Sequence, residues 1–151
     1  MPDKDLVLIK ELKARNGTKI GQITLNSEET LNSLTLSMVD TIESQLTNWE
    51  KESDVVAVMI EGAGDRAFCA GGDIRALYNS MVQNPGGPNP FAEAFFEREY
   101  RLDYKIHTYS KPVICWVDGI TMGGGVGLML GCKYRLSNER TRFAMPEIGV
   151  G

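Results

Sequence analysis

The sequence predicts an α/β fold with a largely parallel sheet, and two observations support this prediction. Apolar runs at residues 55–60 and 113–117 are too short for helices and are typical of strands buried on both faces. Each run is followed by a glycine-rich loop and then by a segment of helical character, the order that a crossover between parallel strands requires. A chain of 151 residues fits one domain, so we expect residues 1–151 to share one core.

The N-terminal third predicts a hairpin followed by an amphipathic helix. Polar and apolar residues alternate over residues 7–25 around Asn16-Gly17, a dipeptide that accepts the positive dihedral angles of a tight turn. After a polar loop, apolar residues recur at spacings of three and four over residues 38–49, which indicates a helix with one buried face. Thr35 is the expected N-cap of this helix.

Two further helices are expected in the middle of the chain. Asp73 is placed to cap the first, since its carboxylate can accept hydrogen bonds from the free N–H groups of the opening turn. Residues 83–90, rich in proline and glycine, separate it from a strongly helical segment at residues 91–107. His107 falls near the end of that segment, where a partial positive charge is favourable.

Composition and charge exclude several classes of function. The net charge is -4 and basic residues are scattered among acidic ones, so no nucleic-acid-binding surface is expected. The most apolar window, residues 112–132, contains Asp118 and many glycines, which favours a buried turn and helix over a membrane span. No secretory signal pattern is present at the N terminus, so we expect a cytoplasmic or matrix-like compartment. The three cysteines lack metal-ligand spacing and are expected to be reduced and packed.

Residues 67–74 (AFCAGGDI) form the first candidate binding segment, between a buried strand and a helix. Paired glycines let the backbone approach a ligand closely, and unpaired N–H groups ahead of a helix can bind an oxyanion. The alternative is a tight turn with a helix cap, and these residues by themselves leave both interpretations open.

Residues 118–127 (DGITMGGGVG) repeat this arrangement after the second buried strand. Glycines spaced by four residues predict a helix with a bare face against a neighbouring backbone, which explains Gly123 and Gly127 in structural terms. The spacing does not explain Gly124, whose N–H would lie at the positive end of the helix and point into a cavity. A dinucleotide-binding fingerprint is incomplete here because Leu128 occupies the third glycine position.

Two glutamates are candidate acid–base groups. Glu147 is the only ionisable residue of the apolar segment 143–150, and burial of that segment would suit Glu147 to act as a general base near neutral pH. An exposed loop glutamate is the alternative. Glu99 falls within the apolar stripe of residues 91–107 and is expected to point inward, although a rotation that buries Phe96 would leave it in solvent.

Taken together, these segments resemble the motifs of the crotonase superfamily. The resemblance rests on AFCAGGD at 67–73, DGITMGGGVGL at 118–128 and FAMPE at 143–147, and on LNSL at 31–34, which is similar to the family's Asn-Ala-Leu segment. The second and third motifs most resemble the 3-hydroxyisobutyryl-coenzyme A hydrolase branch. The resemblance implies a spiral of repeated β-β-α units with a roughly parallel sheet, and an acyl-coenzyme A thioester as the small-molecule substrate.

The resemblance also implies roles for individual residues. The N–H groups of Ala70 and Gly124 match the donors to the thioester carbonyl oxygen. Glu147 matches the catalytic carboxylate, which would activate water or attack directly, and Glu99 matches the acid that contacts the hydroxyacyl end. Coenzyme A is part of the substrate, and neither a metal nor another cofactor is expected. The expected substrate contacts are Arg66, Cys69, Ala70, Gly71, Gly72, Asp73, Gly123 and Gly124.

Two departures from the family pattern shape the prediction. Gly127 stands where the hydratases of the superfamily carry a catalytic glutamate, which favours hydrolysis over hydration. The sequence ends at Gly151 and family members are longer, so we expect an N-terminal part that pairs with a C-terminal portion or forms a homo-oligomer. The predicted function is thioester hydrolysis. The alternatives are an isomerase or atypical hydratase, and a non-catalytic acyl-coenzyme A-binding fragment.

Cys69 borders the first motif and is a rival nucleophile. The sole histidine, His107, lies on another helix without an evident pairing, so a packed thiol is the favoured interpretation of Cys69.

Overall fold

The computed structural model describes residues 6–149, and within this range the chain forms eight strands and four α-helices. In chain order they are β1 (Val7–Lys13), β2 (Lys19–Leu25), α1 (Leu36–Lys51), β3 (Val55–Gly62), β4 (Ala67–Cys69), α2 (Ile74–Gln83), α3 (Pro90–His107), β5 (Val113–Val117), β6 (Ile120–Met122), α4 (Gly124–Gly131), β7 (Tyr134–Ser137) and β8 (Arg142–Ala144). Short 3-10 turns lie at Glu28–Thr30 and Glu147–Gly149. The α/β class expected from the sequence is confirmed.

The strands form two sheets, of which the larger has five strands in the order β1-β2-β3-β5-β7. Only β1 and β2 are antiparallel in it, and β2-β3, β3-β5 and β5-β7 are parallel pairs. The smaller sheet has the order β4-β6-β8 and is parallel throughout. The largely parallel sheet predicted from the apolar runs is therefore confirmed.

After the hairpin β1-β2 and α1, a unit of two strands followed by a helical segment occurs three more times along the chain. In each unit the first strand (β3, β5 or β7) joins the large sheet and the second (β4, β6 or β8) joins the small one. The helices α2 and α4 and the turn at Glu147–Gly149 follow β4, β6 and β8 in the chain. This is the predicted spiral of β-β-α units. Because the strands of the small sheet are parallel, the loops that leave their carboxyl ends meet at one edge, and these loops carry the three motifs.

The hairpin and the first helix form as the sequence predicts. Strands β1 and β2 pair around a turn in which Gly17 has φ 85°, and the Thr35 side chain caps α1 by accepting a hydrogen bond from the Met38 N–H at 3.2 Å. Trp49 of α1 is fully buried against β2, where a methyl group added to Gly21 would lie 2.5 Å from the indole ring. Glycine at this position therefore lets the helix approach the sheet closely.

Strand β3 departs from the expectation that both of its faces are buried. Val55, Val58 and Ile60 are fully buried, but Val56 is 43% exposed. An apolar run cannot tell which of its side chains a neighbouring layer covers, so this detail depends on packing. None of the helices between residues 6 and 149 has both the length and the apolar character needed to cross a bilayer.

Candidate active site

A pocket of about 270 Å³ lies where the starts of α2 and α4 meet the middle of α3. All three sequence motifs contribute to it, so the convergence expected from the parallel strands is observed. The residues that line it are Ala70, Gly71, Gly72, Ile74, Leu77, Phe95, Phe96, Glu99, Gly123, Gly124, Pro146 and Glu147.

The first wall of the pocket is the loop between β4 and α2, which is held in place by backbone pairing with Leu34. The Leu34 N–H donates to the Gly71 carbonyl at 2.7 Å, and the Asp73 N–H donates to the Leu34 carbonyl at 2.9 Å. Successive N–H groups of an extended segment point to opposite sides, so the Gly72 N–H points away from Leu34. No acceptor for it lies within the described part of the chain.

The expectation that Ala70 supplies an oxyanion-binding N–H is wrong. That N–H donates to the Leu31 carbonyl at 3.0 Å and is not free to bind a ligand. The free donor of this loop is Gly72, two residues further on. The sequence indicated Gly72 as a substrate contact but not as the residue whose N–H donates to the thioester carbonyl. Which N–H of the loop is free depends on its pairing with residues 31–34.

The second wall is the turn from β6 into α4, which contains Gly123 and Gly124. Gly123 has φ 49° and precedes the helix without a side-chain cap, and Gly124 is the first helical residue. The first N–H groups of a helix have no partner within it, and that of Gly124 has none elsewhere in residues 6–149. A methyl group built on Gly124 would lie 3.7 Å from the Gly72 nitrogen, so the two free N–H groups are close neighbours.

Glu99 lies on α3 and forms the third wall. It is only 4% exposed, so the predicted inward orientation is confirmed. A methyl group on Gly124 would lie 1.9 Å from its Oε1 atom, which means that the carboxyl group occupies the space left by that glycine. Loss of hydration on burial, and secondarily the charge of Asp103, raise the pKa of Glu99 to about 7.

Asp103 is a partly buried acid that the sequence did not single out. It lies one helical turn after Glu99, and its Oδ2 atom is 2.6 Å from the position of a methyl group built on Gly127. Its Oδ1 atom is buried and has no hydrogen-bond partner in the described chain, and burial raises the pKa of Asp103 to about 6. The position of Asp103 four residues after Glu99 on the same helix is the sequence signal that indicates this pairing.

Glu147 lines the same pocket as Glu99 and is exposed, which is the loop alternative that the sequence left open. It lies on the turn at Glu147–Gly149, and a methyl group on Gly123 would lie 3.8 Å from its Oε1 atom. The neighbouring Phe143 and Ile148 are 68% and 98% exposed. No element of residues 6–149 covers this apolar segment, so its composition alone could not decide its burial.

The remaining predicted contacts lie around the pocket. Gly71 lines it, whereas Asp73 caps α2 by accepting a hydrogen bond from the Ala76 N–H at 3.0 Å and borders an adjacent cleft with Ala70 and Gly72. The Asp73 cap predicted from the sequence is therefore confirmed.

Cys69 and Arg66 line neither the pocket nor the adjacent cleft. The Cys69 side chain is fully buried, and burial raises the pKa of its thiol to about 12. The prediction of a packed thiol is confirmed, and the substrate contact expected of Cys69 stays a prediction. Arg66 is exposed in the loop before β4, and its phosphate contact stays a prediction. His107 is the last residue of α3, as expected, and it is exposed.

Stacked β-β-α units with a glycine-lined pocket at their common edge define a crotonase-type α/β protein. A carnitinyl-CoA dehydratase from Mycobacterium thermoresistibile matches 98% of this chain with a TM-score of 0.87 and 40% identity. An enoyl-CoA hydratase from Rhodobacter sphaeroides matches 97% with a TM-score of 0.86 and 38% identity. The sequence model of the enoyl-CoA hydratase/isomerase family matches residues 20–151, so the chain belongs to that family.

The relatives of this chain include proteins named as hydrolases and one named as a ribosomal protein. The mitochondrial 3-hydroxyisobutyryl-CoA hydrolase of Danio rerio is 48% identical over 88% of this chain, and that of Rattus norvegicus is 46% identical over 87%. The small ribosomal subunit protein mS47 of Neurospora crassa is 41% identical over 85%. The chain spans 34%, 33% and 25% of the lengths of these three relatives. It likewise spans 41% of each of the two solved structures.

Proposed function

We propose that this chain binds an acyl-coenzyme A thioester in the described pocket and belongs to a hydrolase for short, branched hydroxyacyl esters. The observation that carries the proposal is the pair of free N–H groups of Gly72 and Gly124 at the pocket wall. The similarity to proteins named 3-hydroxyisobutyryl-CoA hydrolase supports the substrate class. Their mitochondrial designation supports the matrix as the compartment.

The two N–H groups would polarise the thioester carbonyl. As a nucleophile adds to the carbonyl carbon, negative charge develops on the oxygen, and donors fixed in advance bind that oxyanion more tightly than the neutral carbonyl. Gly72 is fixed by the pairing of its neighbours with Leu34, and Gly124 is fixed by the start of α4. Each donor would lower the barrier by about 3 kcal/mol, the effect of single-donor deletions in other enzymes.

Glu147 is the catalytic carboxylate of this proposal. Acting as a base, it would take a proton from water while the water oxygen forms a bond to the carbonyl carbon. Collapse of the tetrahedral intermediate then breaks the carbon–sulfur bond, and coenzyme A leaves as its thiolate. Direct attack by the carboxylate, followed by hydrolysis of the resulting anhydride, gives the same products. The exposed position of Glu147 on the pocket rim gives water access to its carboxylate.

Glu99 would contact the polar end of the acyl group. It lines the same pocket as Glu147, and the apolar side chains of Leu77, Phe95 and Phe96 also line it. A short branched acyl chain that carries one hydroxyl group matches this combination of an apolar wall and one buried acid.

Thiol release from a panel of acyl-coenzyme A esters would test the proposal. We expect the Glu147→Gln variant to lose turnover by 100-fold or more while it still binds the ester, because general-base catalysis contributes on the order of 10²–10⁴-fold. Glu139→Gln is the matched control, since Glu139 is an exposed glutamate of the turn before β8. Unchanged turnover in Glu147→Gln would remove that residue from its role, and a product with an intact thioester would indicate an isomerase or a hydratase.

A non-catalytic acyl-coenzyme A-binding role is the second candidate. Two observations favour it: Glu147 is exposed, and one relative is named as a ribosomal subunit protein. A chain of this kind would bind the ester without thiol release, and Glu147→Gln would change its affinity by less than about threefold, the range of a weak exposed contact.

A further inference from the structure

Glu99 is buried and Asp103 is partly buried, and their carboxyl groups lie on one face of α3. Residues four positions apart on a helix are neighbours, and the charge of Asp103 contributes to the raised pKa of Glu99. The two acids differ in access, because Glu99 lines the pocket and Asp103 does not. Asp103 can therefore affect a bound ligand only through Glu99.

The glycines of α4 make room for this pair. A methyl group on Gly124 would lie 1.9 Å from the Glu99 Oε1 atom, and one on Gly127 would lie 2.6 Å from the Asp103 Oδ2 atom. Both carboxyl groups thus lie directly against the helix backbone. No residue of α4 (GGVGLMLG) is ionisable, so this helix supplies no charge that could neutralise either acid.

The other elements packed on α3 also leave the pair without a cation. On α1, Asp40 and Glu50 are engaged with Arg98 and Lys105 at 2.6 and 3.6 Å, and between residues 6 and 149 no ion pair includes Glu99 or Asp103. The Cys69 and Cys132 thiols lie near the pair, and Glu147 lines the same pocket as Glu99. Arg75 and Tyr78, the ionisable residues of α2, are exposed.

The two thiols near the pair are uncharged at neutral pH. Burial raises the pKa of Cys69, and a hydrogen bond with Cys115 together with burial raises the pKa of Cys132. The strongest electrostatic influence on Glu99 from a neighbouring side chain is therefore the Asp103 carboxylate. The negative charge of Asp103 disfavours ionisation of Glu99, so Glu99 releases its proton at a higher pH than its burial alone would require.

We propose that Asp103 is a positioning residue that acts through Glu99: its partly buried carboxylate adds to the effect of Glu99's own burial and helps to hold the proton on Glu99 up to neutral pH, so that Glu99 faces the pocket as a hydrogen-bond donor. This inference rests on the proposed function, since the accepting atom is the hydroxyl oxygen of the bound acyl group. The pair would then select hydroxyacyl esters, and it would do so only while Glu99 is protonated.

The first test measures the proton on Glu99 directly and requires no turnover. A carbon-13 NMR titration of the Glu99 carboxyl carbon would be compared between the wild-type chain and the Asp103→Asn and Asp103→Ser variants. We expect both variants to lower the titration midpoint by about half a pH unit or more, since a like charge is removed. Glu97→Gln is the matched control, because it removes one negative charge from an exposed position of the same helix, where Glu97 pairs with Arg101.

The second test measures what the proton does for a ligand. Binding of 3-hydroxyisobutyryl-coenzyme A and of isobutyryl-coenzyme A would be measured from pH 5.5 to 8.5 in the Glu147→Gln background, which prevents turnover under the proposed function. We expect the hydroxy ester to bind up to about tenfold more weakly for each pH unit above the Glu99 midpoint, while the ester without the hydroxyl is insensitive. Asp103→Asn should move this dependence to lower pH by the amount found in the titration.

The outcomes separate this inference from the proposed function. An unchanged Glu99 midpoint in both Asp103 variants overturns the inference even if the chain hydrolyses thioesters. An altered midpoint with equal pH dependence for the two esters also overturns it, because Glu99 then donates nothing to the hydroxyl group. If neither ester binds, the donor role fails together with the proposed function, and the titration shows whether the two acids are coupled.

Discussion

The two glycine-rich turns that begin α2 and α4 occupy equivalent positions in their β-β-α units but are stabilised in different ways. The first turn is held by hydrogen bonds: Leu34 pairs with its backbone, and the Asp73 side chain caps α2. The second turn has no side-chain cap: the Gly123 N–H donates to the Ala144 carbonyl at 3.3 Å, and the glycines at the start of α4 lie in close contact with neighbouring atoms. Each turn nevertheless leaves one N–H free at the pocket. The first turn should therefore be sensitive to lost polar groups and the second to added volume.

Gly125→Ala should have the largest effect on stability. A methyl group there would lie 2.1 Å from the carbonyl oxygen of Cys69, a backbone atom of β4 that cannot move without disturbing the small sheet. We expect the free energy of unfolding to fall by about 3 kcal/mol, as for overpacked core positions, although helix propensity alone favours alanine over glycine. Urea unfolding followed by circular dichroism would measure the loss.

Gly124→Ala is the matched control for this prediction. The obstructing atom there is the Glu99 Oε1 atom, at the end of a flexible side chain that can rotate away. We expect a loss of about 1 kcal/mol or less in unfolding free energy, together with weaker ester binding because the pocket wall is displaced. Equal losses in the two variants would contradict the view that close contact with the strand backbone fixes the second turn.

Asn32→Ala tests the hydrogen bonds that anchor the 31–34 segment, which pairs with the first turn. The Asn32 amide is 1% exposed, donates to the carbonyls of Ala63 and Ala67 at 3.0 and 2.8 Å, and accepts from the Ser27 N–H at 2.8 Å. Its φ of 55° is tolerated better by asparagine than by alanine. We expect a loss of about 2–3 kcal/mol in unfolding free energy, because buried polar groups lose their partners.

Ser33→Ala is the control for the Asn32 variant. Its hydroxyl group makes one exposed hydrogen bond, to the Thr30 carbonyl at 2.6 Å, so its removal should cost about 0.5 kcal/mol. If Asn32→Ala loses no more than this control, the amide does not hold the loop that leads into β4.

The pH dependence of stability should reveal the burial of Glu99 against the second turn. Its folded-state pKa of about 7 lies above the ordinary value of 4.5, so the native protein binds this proton more tightly than the unfolded chain does. The resulting stability is complete below pH 4.5 and is lost as the pH rises through 7. We expect Glu99→Gln to remove a decline on the order of 2 kcal/mol between pH 5 and pH 8.

Urea unfolding at several pH values would measure this difference. The pKa of Asp103 is also raised, so the Glu99→Gln variant should retain part of the decline in stability with rising pH. Parallel stability curves for the wild-type chain and Glu99→Gln would show that the Glu99 proton is not coupled to folding.

Asp73→Ala should have the smallest effect. It removes the acceptor for the Ala76 N–H at the start of α2, and loss of such a cap costs about 1 kcal/mol. Asp73→Asn keeps a side-chain oxygen and should cost only a few tenths of a kcal/mol. Thermal unfolding of both variants would measure the difference, and an equal change in the two would assign the effect to charge rather than to the hydrogen bond.

Much of the fold could be predicted because its signals are local. The alternation around Asn16-Gly17, the Thr35 and Asp73 caps and the apolar stripe that includes Glu99 each depend on residues within a few positions of one another, and all agree with the structure. The β-β-α units of the spiral were expected only from the resemblance of the motifs to the crotonase superfamily, because the three-residue strands β4, β6 and β8 are too short to show a periodic pattern. The sequence by itself thus determined the longer elements and their order.

Only the tertiary structure decided which hydrogen-bonding groups are unpaired and face the pocket. The N–H of Ala70, and not that of Gly72, donates to the 31–34 segment, and that choice depends on pairing between residues far apart in the chain. The partial burial of Asp103 depends on the glycine face of α4, and the exposure of Glu147 depends on which elements cover it. The physical reason is common to all of these cases: hydrogen-bond partners and burial are properties of the assembled neighbours, and a residue's local sequence does not contain them.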